Sequence, residues 1–139
     1  MISYKKFLES KKNTIYRIYR IFHPDLITND EEIHLSKSYI GMTERFSTKF
    51  NEIEEEIELG KTMANGIPRP IVSAFKKFGR EHFEIEILDE VTGFEKAAKK
   101  EKNNIKKYNT STPNGYNISK GGDIPDYVDY ASYIRYIHS

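Results

Sequence analysis

Residues 14–22 read Thr-Ile-Tyr-Arg-Ile-Tyr-Arg-Ile-Phe, and this stretch decides the fold that the sequence predicts. Apart from two arginines it consists of β-branched and aromatic residues, a composition that is typical of a β-strand. A return strand is predicted over His34–Ile40, leading into the sequence Tyr39-Ile40-Gly41-Met42-Thr43. Between the strands, Pro24 and the polar run at 28–32 indicate a connector. The sequence therefore predicts a β-hairpin with an unusually long loop.

Apolar residues at helical spacing predict two helices after the hairpin. The first is expected to be capped by Thr43 and to end at Gly60. Its apolar stripe has spacings of four, three and four residues and consists of Phe46, Phe50, Ile53 and Ile57. The second is expected to begin at Pro70 and to stop at Gly79. Its inward face consists of Ile71, Ala74, Phe75 and Phe78.

The remaining elements complete an α+β order of β-β-α-α-β-α. Phe83–Ile87 alternates apolar and charged residues, which predicts a half-buried strand. Thr92–Glu95 predicts a capping box that opens a helix ending near Tyr108. Residues 1–122 are expected to form one domain, and residues 123–139 a C-terminal helical extension packed on it. The extension is rich in tyrosine, with Tyr127, Tyr130, Tyr133 and Tyr136.

Composition narrows the class of protein. The chain has 139 residues, of which 37% are hydrophobic and 31% charged, and it has no cysteine. Disulfides, thiolate zinc sites and cysteine nucleophiles are therefore excluded. The sequence has no apolar run of membrane-spanning length and no apolar signal-peptide core, so an intracellular, cytoplasmic location is expected. It also lacks the glycine-rich loops of nucleotide-binding folds.

Charge is unevenly distributed although the net charge is only +1. Glutamates are concentrated at 52–58 and lysines at 96–107. A segregated basic stretch is typical of a phosphate-binding face, but also of an ordinary solvated helix surface. Lys99, Lys102 and Lys106 lie within it and, with Arg45 elsewhere in the chain, are the candidates for binding nucleic-acid phosphates.

Glu101 is the first candidate for chemistry. It lies among the inward positions of the predicted helix at 93–108, between Ala98 and Ile105. A carboxylate is rarely placed on such a stripe without a partner. It could bind a hard divalent cation, with phosphate and water completing the coordination. The alternative is a stripe edge where Glu101 pairs with a lysine.

The tyrosines and Gly41 add a second constraint. Strand tyrosines usually serve packing, so Tyr16 and Tyr39 are individually weak indicators. Gly41 permits close backbone approach just before a predicted helix N-terminus, a geometry that favours an anion. Asn117 follows a Gly-Tyr pair and could donate to a phosphate or bond a turn.

In combination, these residues resemble the GIY-YIG nuclease family. Thr14-Ile15-Tyr16 resembles the first motif with threonine in place of glycine, and Tyr39-Ile40-Gly41 matches the second. Residues 74–83 resemble a helix-to-strand passage found in phage and homing members, and Glu101 matches the metal-binding glutamate. Asn114–Gly122 resembles the closing segment, so the likeness covers about residues 13–122.

The resemblance implies a small three-stranded antiparallel sheet flanked by helices. It implies hydrolysis of DNA phosphodiester bonds with a single divalent metal, Mg²⁺ or Mn²⁺. Tyr16 would act as, or orient, the general base for the attacking water, and Tyr39 would hydrogen-bond in the site. Glu101 would bind the metal, and Asn117 would support the phosphate region.

Two positions depart from the family pattern. Lys49 stands where the family generally carries an arginine, eight residues past Gly41, and Arg45 lies one turn earlier. Either could neutralise a phosphate, but lysine lacks the bidentate fork of arginine. Ile18-Tyr19-Arg20 repeats the first motif's pattern, and Tyr19 is expected to face the opposite side of the strand from Tyr16. We assign the catalytic role to Tyr16.

The sequence thus predicts a stand-alone DNA endonuclease, of phage or mobile-element type. Modest net charge predicts weak, salt-dependent DNA binding, which a homodimer or a targeting partner would strengthen. One alternative is a catalytically weakened module of the same fold that binds DNA or a protein without cutting. A second is an α+β interaction protein whose tyrosines only form its core.

Overall fold

The computed structural model describes residues 1–24 and 37–139. Positions 25–33 of the predicted connector and 34–36 of the predicted return strand lie outside these ranges. The described strands are β1 (Ile15–Phe22), β2 (Ser38–Thr43) and β3 (Glu84–Thr92). The described helices are α1 (Tyr4–Ser10), α2 (Lys49–Glu58), α3 (Pro70–Phe78), α4 (Phe94–Tyr108) and α5 (Tyr130–Ile137). None of these helices is long and apolar enough to cross a bilayer.

The three strands form one antiparallel sheet in the order β2-β1-β3. The predicted α+β class, with a small three-stranded antiparallel sheet flanked by helices, is therefore confirmed. In the β1–β2 pair, Tyr19 lies opposite Gly41 and Ile21 opposite Tyr39. The β1–β3 pair contains a bulge between Ile18 and Tyr19. The central strand β1 thus sets the register of both neighbours.

The sheet separates two hydrophobic cores, because successive strand residues point to opposite faces. Tyr16 and Ile18 of β1 pack with α1 and α4 on one face. Tyr19 and Ile21 pack with α2 and α3 on the other face. The two tyrosines of β1 therefore lie on opposite sides of the sheet, as expected from the sequence.

The helix after β2 begins later than predicted. Thr43 is the last residue of β2, and its Oγ1 accepts a hydrogen bond from the Arg45 N–H at 2.8 Å. This local bond forms a turn and competes with helix capping. A short 3₁₀ turn over Phe46–Thr48 follows, and α2 starts only at Lys49. Arg45 consequently lies outside the helix, and the prediction that it shares the helix with Lys49 is wrong.

The predictions for the ends of α2 and α3 are mostly confirmed. Gly60 follows α2 with a positive φ of 63°, a conformation that suits glycine. The helix α3 begins at Pro70 and is followed by Gly79. Phe78 is the exception on its predicted inward face, because 41% of its surface is exposed.

The boundary between β3 and α4 also differs from the prediction. Pairing with β1 extends β3 to Thr92, which lies opposite Ile15. Gly93 adopts a φ of 92° and its N–H donates to the Thr14 carbonyl at 2.8 Å. Among the described residues no side chain caps α4, so the predicted capping box is absent. Strand pairing therefore determines where α4 begins.

The two ends of the chain pack together, and the sequence did not predict α1. Ile2 forms a parallel bridge with Val128, and Tyr4 contacts the rings of Tyr133 and Tyr136 in edge-on geometry. Tyr130 is 63% exposed, so the tyrosines of the extension do not share one buried face. The boundary at residue 122 stays a prediction.

Replacing Gly41 by alanine should destabilise the fold. A Cβ atom at this position would lie 2.6 Å from Cζ of Tyr19 and clash with its hydroxyl. We expect a loss of about 1–3 kcal/mol in the free energy of unfolding, measured in urea. The same substitution in a Tyr19→Leu background should cost much less, because the shorter side chain does not reach β2. An equal cost in both backgrounds would show that the ring does not set the need for glycine.

Candidate active site

The free edge of β2 is the structural basis of the site. Because β2 pairs only with β1 among the described strands, its outward backbone groups need other partners. The outward groups belong to alternate residues, Ser38, Ile40 and Met42. The Tyr116 N–H donates to the Ser38 carbonyl at 2.9 Å. Side chains from later in the chain bond the other two, and this draws them to the strand.

Asn117 bonds the backbone of Ile40 in the manner of a neighbouring strand. Its Nδ2 donates to the Ile40 carbonyl at 2.8 Å, and its Oδ1 accepts from the Ile40 N–H at 2.9 Å. The same oxygen accepts from the Thr110 hydroxyl at 2.8 Å. Both oxygen lone pairs are thus engaged, and one Nδ2 hydrogen remains. The predicted phosphate contact of Asn117 could use only that hydrogen.

Glu101 reaches the same edge from α4. The Gly122 N–H donates to its Oε1 at 2.7 Å, and the Met42 N–H also donates to the carboxylate. Among the described residues, no lysine or arginine forms an ion pair with it. The predicted alternative, a lysine partner at the stripe edge, is therefore not what compensates this carboxylate.

Burial controls the protonation of Glu101. Burial raises its pKa above the ordinary value of 4.5, and the nearby Asp123 carboxylate raises it further. The hydrogen bonds from Gly122 and Met42 oppose this by stabilising the charged form. Additional positive charge beside this carboxyl group would stabilise its charged form and lower its pKa.

Tyr19 meets this edge from the opposite face of the sheet. Its ring lies over Gly41, and its centroid is 6.2 Å from that of Tyr39. Burial raises the pKa of Tyr19 well above its ordinary value, and the nearby Tyr39 and Glu101 add to the shift. Arg69 acts in the opposite direction. Tyr19 is thus within electrostatic reach of Tyr39 and Glu101.

Tyr16 occupies a different environment. Its ring packs edge-on against Phe94, with centroids 6.1 Å apart, in the core below the sheet. Burial raises its pKa to about 12, with contributions from Glu44 and Tyr127. The structure therefore places Tyr19, and not Tyr16, beside Tyr39, which reverses our choice between the two. Tyr16 borders a wider groove, which Glu101 also lines.

Arg69 belongs to the site but was not identified from the sequence. Its Nη1 donates to the Tyr39 hydroxyl at 3.3 Å, and it forms a two-point ion pair with Glu56. The only sequence signal is an arginine between Pro68 and Pro70 at the start of a helix. Its position depends on how α2 and α3 pack, which local pattern does not reveal.

Lys49 and Arg45 lie in the wider groove rather than beside Tyr39. This groove has a volume of about 510 Å³ and includes Tyr16 and Glu101 in its walls. The Lys49 ammonium group pairs with the Glu52 carboxylate at 3.0 Å. Arg45 is exposed, and its hydrogen bonds to Thr43 and Thr48 use its backbone N–H and carbonyl groups. Both cations could contact a phosphate that enters the groove.

The three candidate lysines of α4 share one side of that helix. Spacings of three and four residues place Lys99, Lys102 and Lys106 near one another, and all three are exposed. The Lys102 side chain runs along Gly122, whose N–H bonds Glu101. This basic side therefore adjoins the free edge of β2.

The carboxylates at the edge fit a hard divalent cation. Glu101 and Asp123 both border a cavity of about 200 Å³ that also contains Tyr39, Arg69 and Asn117. No group of three or more histidine or acidic side chains with metal-binding geometry occurs within residues 1–24 and 37–139. Mg²⁺ commonly uses one or two carboxylates and keeps several water ligands. The residues present suffice for such a site.

Comparison with known proteins supports a GIY-YIG-like fold. No family model matches the chain, and no curated protein matches it. A solved structure of a mutant catalytic domain of intron endonuclease I-TevI is similar, with a TM-score of 0.54 and 26% sequence identity. The similarity covers 76% of this chain and 95% of that domain.

The raised pKa of Glu101 predicts a specific pH dependence of stability. A carboxyl group with a higher pKa in the folded chain binds its proton more tightly there, so its contribution is complete below pH 4.5. That contribution is lost as the pH rises through the raised pKa. We therefore expect wild type to lose stability relative to Glu101→Gln as the pH rises above 4.5, measured by urea unfolding in EDTA.

The matched control for this measurement is Glu55→Gln, an exposed position on α2. A stability difference between wild type and Glu101→Gln that stays constant with pH, or that shifts toward wild type at higher pH, would contradict the assigned environment.

Proposed function

We propose that this chain is a DNA endonuclease that hydrolyses phosphodiester bonds with one divalent cation, Mg²⁺ or Mn²⁺. The observation that carries the proposal is the convergence of Tyr19, Tyr39 and Glu101 at the free edge of β2. The fold is similar to the catalytic domain of an intron endonuclease, which supports the same reaction class and DNA as the substrate. That likeness also favours a phage or mobile-element origin.

Glu101 is the proposed protein ligand of the cation, with Asp123 beside it. When bound, the cation supplies positive charge that stabilises the developing negative charge of the reacting phosphate. The two backbone N–H groups that bond Glu101 hold its carboxylate in place against β2. Orientation of the carboxylate is therefore fixed before any ligand arrives.

Tyr19 is the proposed group that orients, or accepts a proton from, the attacking water. A phenol has a pKa near 10, and lowering it to 7 requires roughly 4 kcal/mol of differential stabilisation. Burial works against ionisation here, while Arg69 favours it. Tyr19 therefore depends on nearby positive charge to act as a base. The Tyr39 hydroxyl accepts a hydrogen bond from Arg69, and its own hydrogen is the one proposed to be donated in the site.

Substrate binding is assigned to the basic residues around this edge. The exposed Lys99, Lys102 and Lys106 would neutralise backbone phosphates on one side of α4. Lys49 and Arg45 would contact the strand that passes through the groove. A second copy of the chain or a targeting partner would add the affinity that a net charge of +1 does not provide.

A module that binds DNA or a protein without cutting is the second candidate. The observation that favours it is the Lys49–Glu52 ion pair. This pair already engages the ammonium group of Lys49, at the position where an arginine was expected. The two candidates differ in one property, because only the nuclease produces metal-dependent breaks.

A plasmid-nicking assay separates the two. We expect wild type to convert supercoiled plasmid to nicked or linear DNA in Mg²⁺ or Mn²⁺ but not in EDTA. Glu101→Gln should lose this activity while remaining folded. The control is Glu95→Gln, an exposed position on the same helix whose carboxylate accepts a hydrogen bond from the Tyr136 hydroxyl. Absence of cutting by wild type, or full activity of Glu101→Gln, would reject the proposed nuclease.

The two tyrosines of β1 should differ in their effect on rate. We expect Tyr19→Phe to lower the single-turnover cutting rate by about 10²–10⁴-fold, because it removes the group that handles a proton. Tyr16→Phe should have a small effect, since that hydroxyl lies on the other face of the sheet. A larger loss at Tyr16 would restore the assignment made from the motif.

The basic side of α4 should determine the salt dependence of DNA binding. Changing Lys99, Lys102 and Lys106 together to glutamine should flatten the log–log salt slope by up to about 0.9 for each lost phosphate contact. The control is Lys5, Lys6 and Lys61 changed to glutamine, which are also exposed. Fluorescence anisotropy in EDTA measures both slopes. Equal slopes for the two triple variants would place the binding surface elsewhere.

A further inference from the structure

We infer that Arg69 contacts the scissile phosphate, and that Glu56 positions its guanidinium group for this contact. The inference rests on the proposed nuclease function and names a substrate-binding residue that the sequence motifs do not contain. Arg69 precedes α3 directly, while Glu56 lies near the end of α2. The ion pair therefore joins these two helices beside the free edge of β2.

The guanidinium group of Arg69 is fixed on one side and open on the other. Its Nε donates to Oε2 of Glu56 at 3.1 Å and its Nη2 to Oε1 at 2.8 Å. Its Nη1 donates to the Tyr39 hydroxyl at 3.3 Å. A guanidinium group has five N–H donors, so these three bonds leave one hydrogen on each terminal nitrogen. Two donors on neighbouring nitrogens suit the oxygens of a phosphate.

The charges around the cavity of about 200 Å³ favour the same contact. Arg69 is the only cation among the described residues that border this cavity, whereas Glu101 and Asp123 are both acidic. A phosphate in the cavity would be repelled by the carboxylates and attracted by Arg69. A cation at Glu101 and the guanidinium of Arg69 would together offset the negative charge of the phosphate.

Arg69 is held as a cation by its surroundings. Burial alone would lower its pKa, but the hydrogen bonds to Glu56 and Tyr39 and their nearby charges raise the pKa overall. Its side chain retains 35% exposure, so a substrate can reach it. The double bond to Glu56 removes much of the rotational freedom that a free arginine would lose on binding.

Lys49 does not provide an equivalent group. Its ammonium is a point charge that is paired with Glu52, and it borders the wider groove and not the cavity beside Tyr39. Arg69 also opposes the rise in the pKa of Tyr19. One guanidinium thus acts on both the proposed base and the phosphate.

Single-turnover cutting by Arg69 variants tests this inference. We expect Arg69→Ala to cut about 10²–10³-fold more slowly than wild type, as the loss of a charge-stabilising donor does. Arg69→Lys should remain folded and recover only part of the rate, because it lacks the planar fork. Glu56→Gln should slow cutting less than Arg69→Ala. The control is Arg80→Ala, an exposed arginine that bonds Asn51 and stacks on Phe50.

Two further readouts separate substrate contact from a purely structural role. Added guanidinium ion should partly restore cutting by Arg69→Ala but should not help Glu101→Gln. In EDTA, Arg69→Ala should bind duplex DNA with a salt slope flatter by up to about 0.9, as expected for one lost phosphate contact. Arg80→Ala should show neither effect.

The outcomes are distinguishable from failure of the proposed function. If wild type cuts DNA and Arg69→Ala cuts at the same rate, the inference about Arg69 is overturned and the nuclease stands. If Arg69→Ala loses activity but guanidinium does not restore it and the salt slope is unchanged, Arg69 is structural and the inference is again overturned. If wild type does not cut, the proposed function fails and the inference fails with it.

Discussion

The free edge of β2 is the constraint on which the site depends. An edge strand exposes backbone groups that must find partners, and here the side chains of Asn117 and Glu101 provide them. The hydrogen bond to Glu101 brings a carboxylate from α4 to the side of Met42. A requirement of the sheet thereby places the group that is proposed to bind the cation. The hydrogen bonds that satisfy the edge of β2 are the same ones that position the side chains of the proposed site.

Gly41 extends this coupling to the other face. Because residue 41 lacks a side chain, the Tyr19 ring can lie over β2 and come within electrostatic reach of Glu101. Burial then raises the pKa values of Tyr19 and Glu101, so both groups disfavour their charged forms. Positive charge from Arg69 and from a bound cation would reverse this tendency. The site is therefore built to respond to cations.

Local patterns predicted the elements well but not their mutual arrangement. The sheet, the start of α3 at Pro70 and the place of Glu101 on the apolar stripe of α4 follow from periodicity and helix-end signals. Strand pairing and a turn bond overrode the predicted helix starts. Choosing between Tyr16 and Tyr19 requires knowing which residue of β1 lies opposite Gly41. The long connector between the two strands prevents this register from being read from the sequence. The contact of Arg69 with the site depends on tertiary packing between helices.

The proposed nuclease requires that the carboxylate at the free edge of β2 holds a divalent cation. Titration of the ¹⁵N-labelled protein with Mn²⁺ tests this directly, because the paramagnetic ion broadens nearby amide resonances. We expect the amides of Gly122 and Met42, which bond Glu101, to broaden first, and Glu101→Gln to abolish the effect. Broadening centred on the acidic stretch at 52–58, or broadening that persists in Glu101→Gln, would show that Glu101 does not hold the cation.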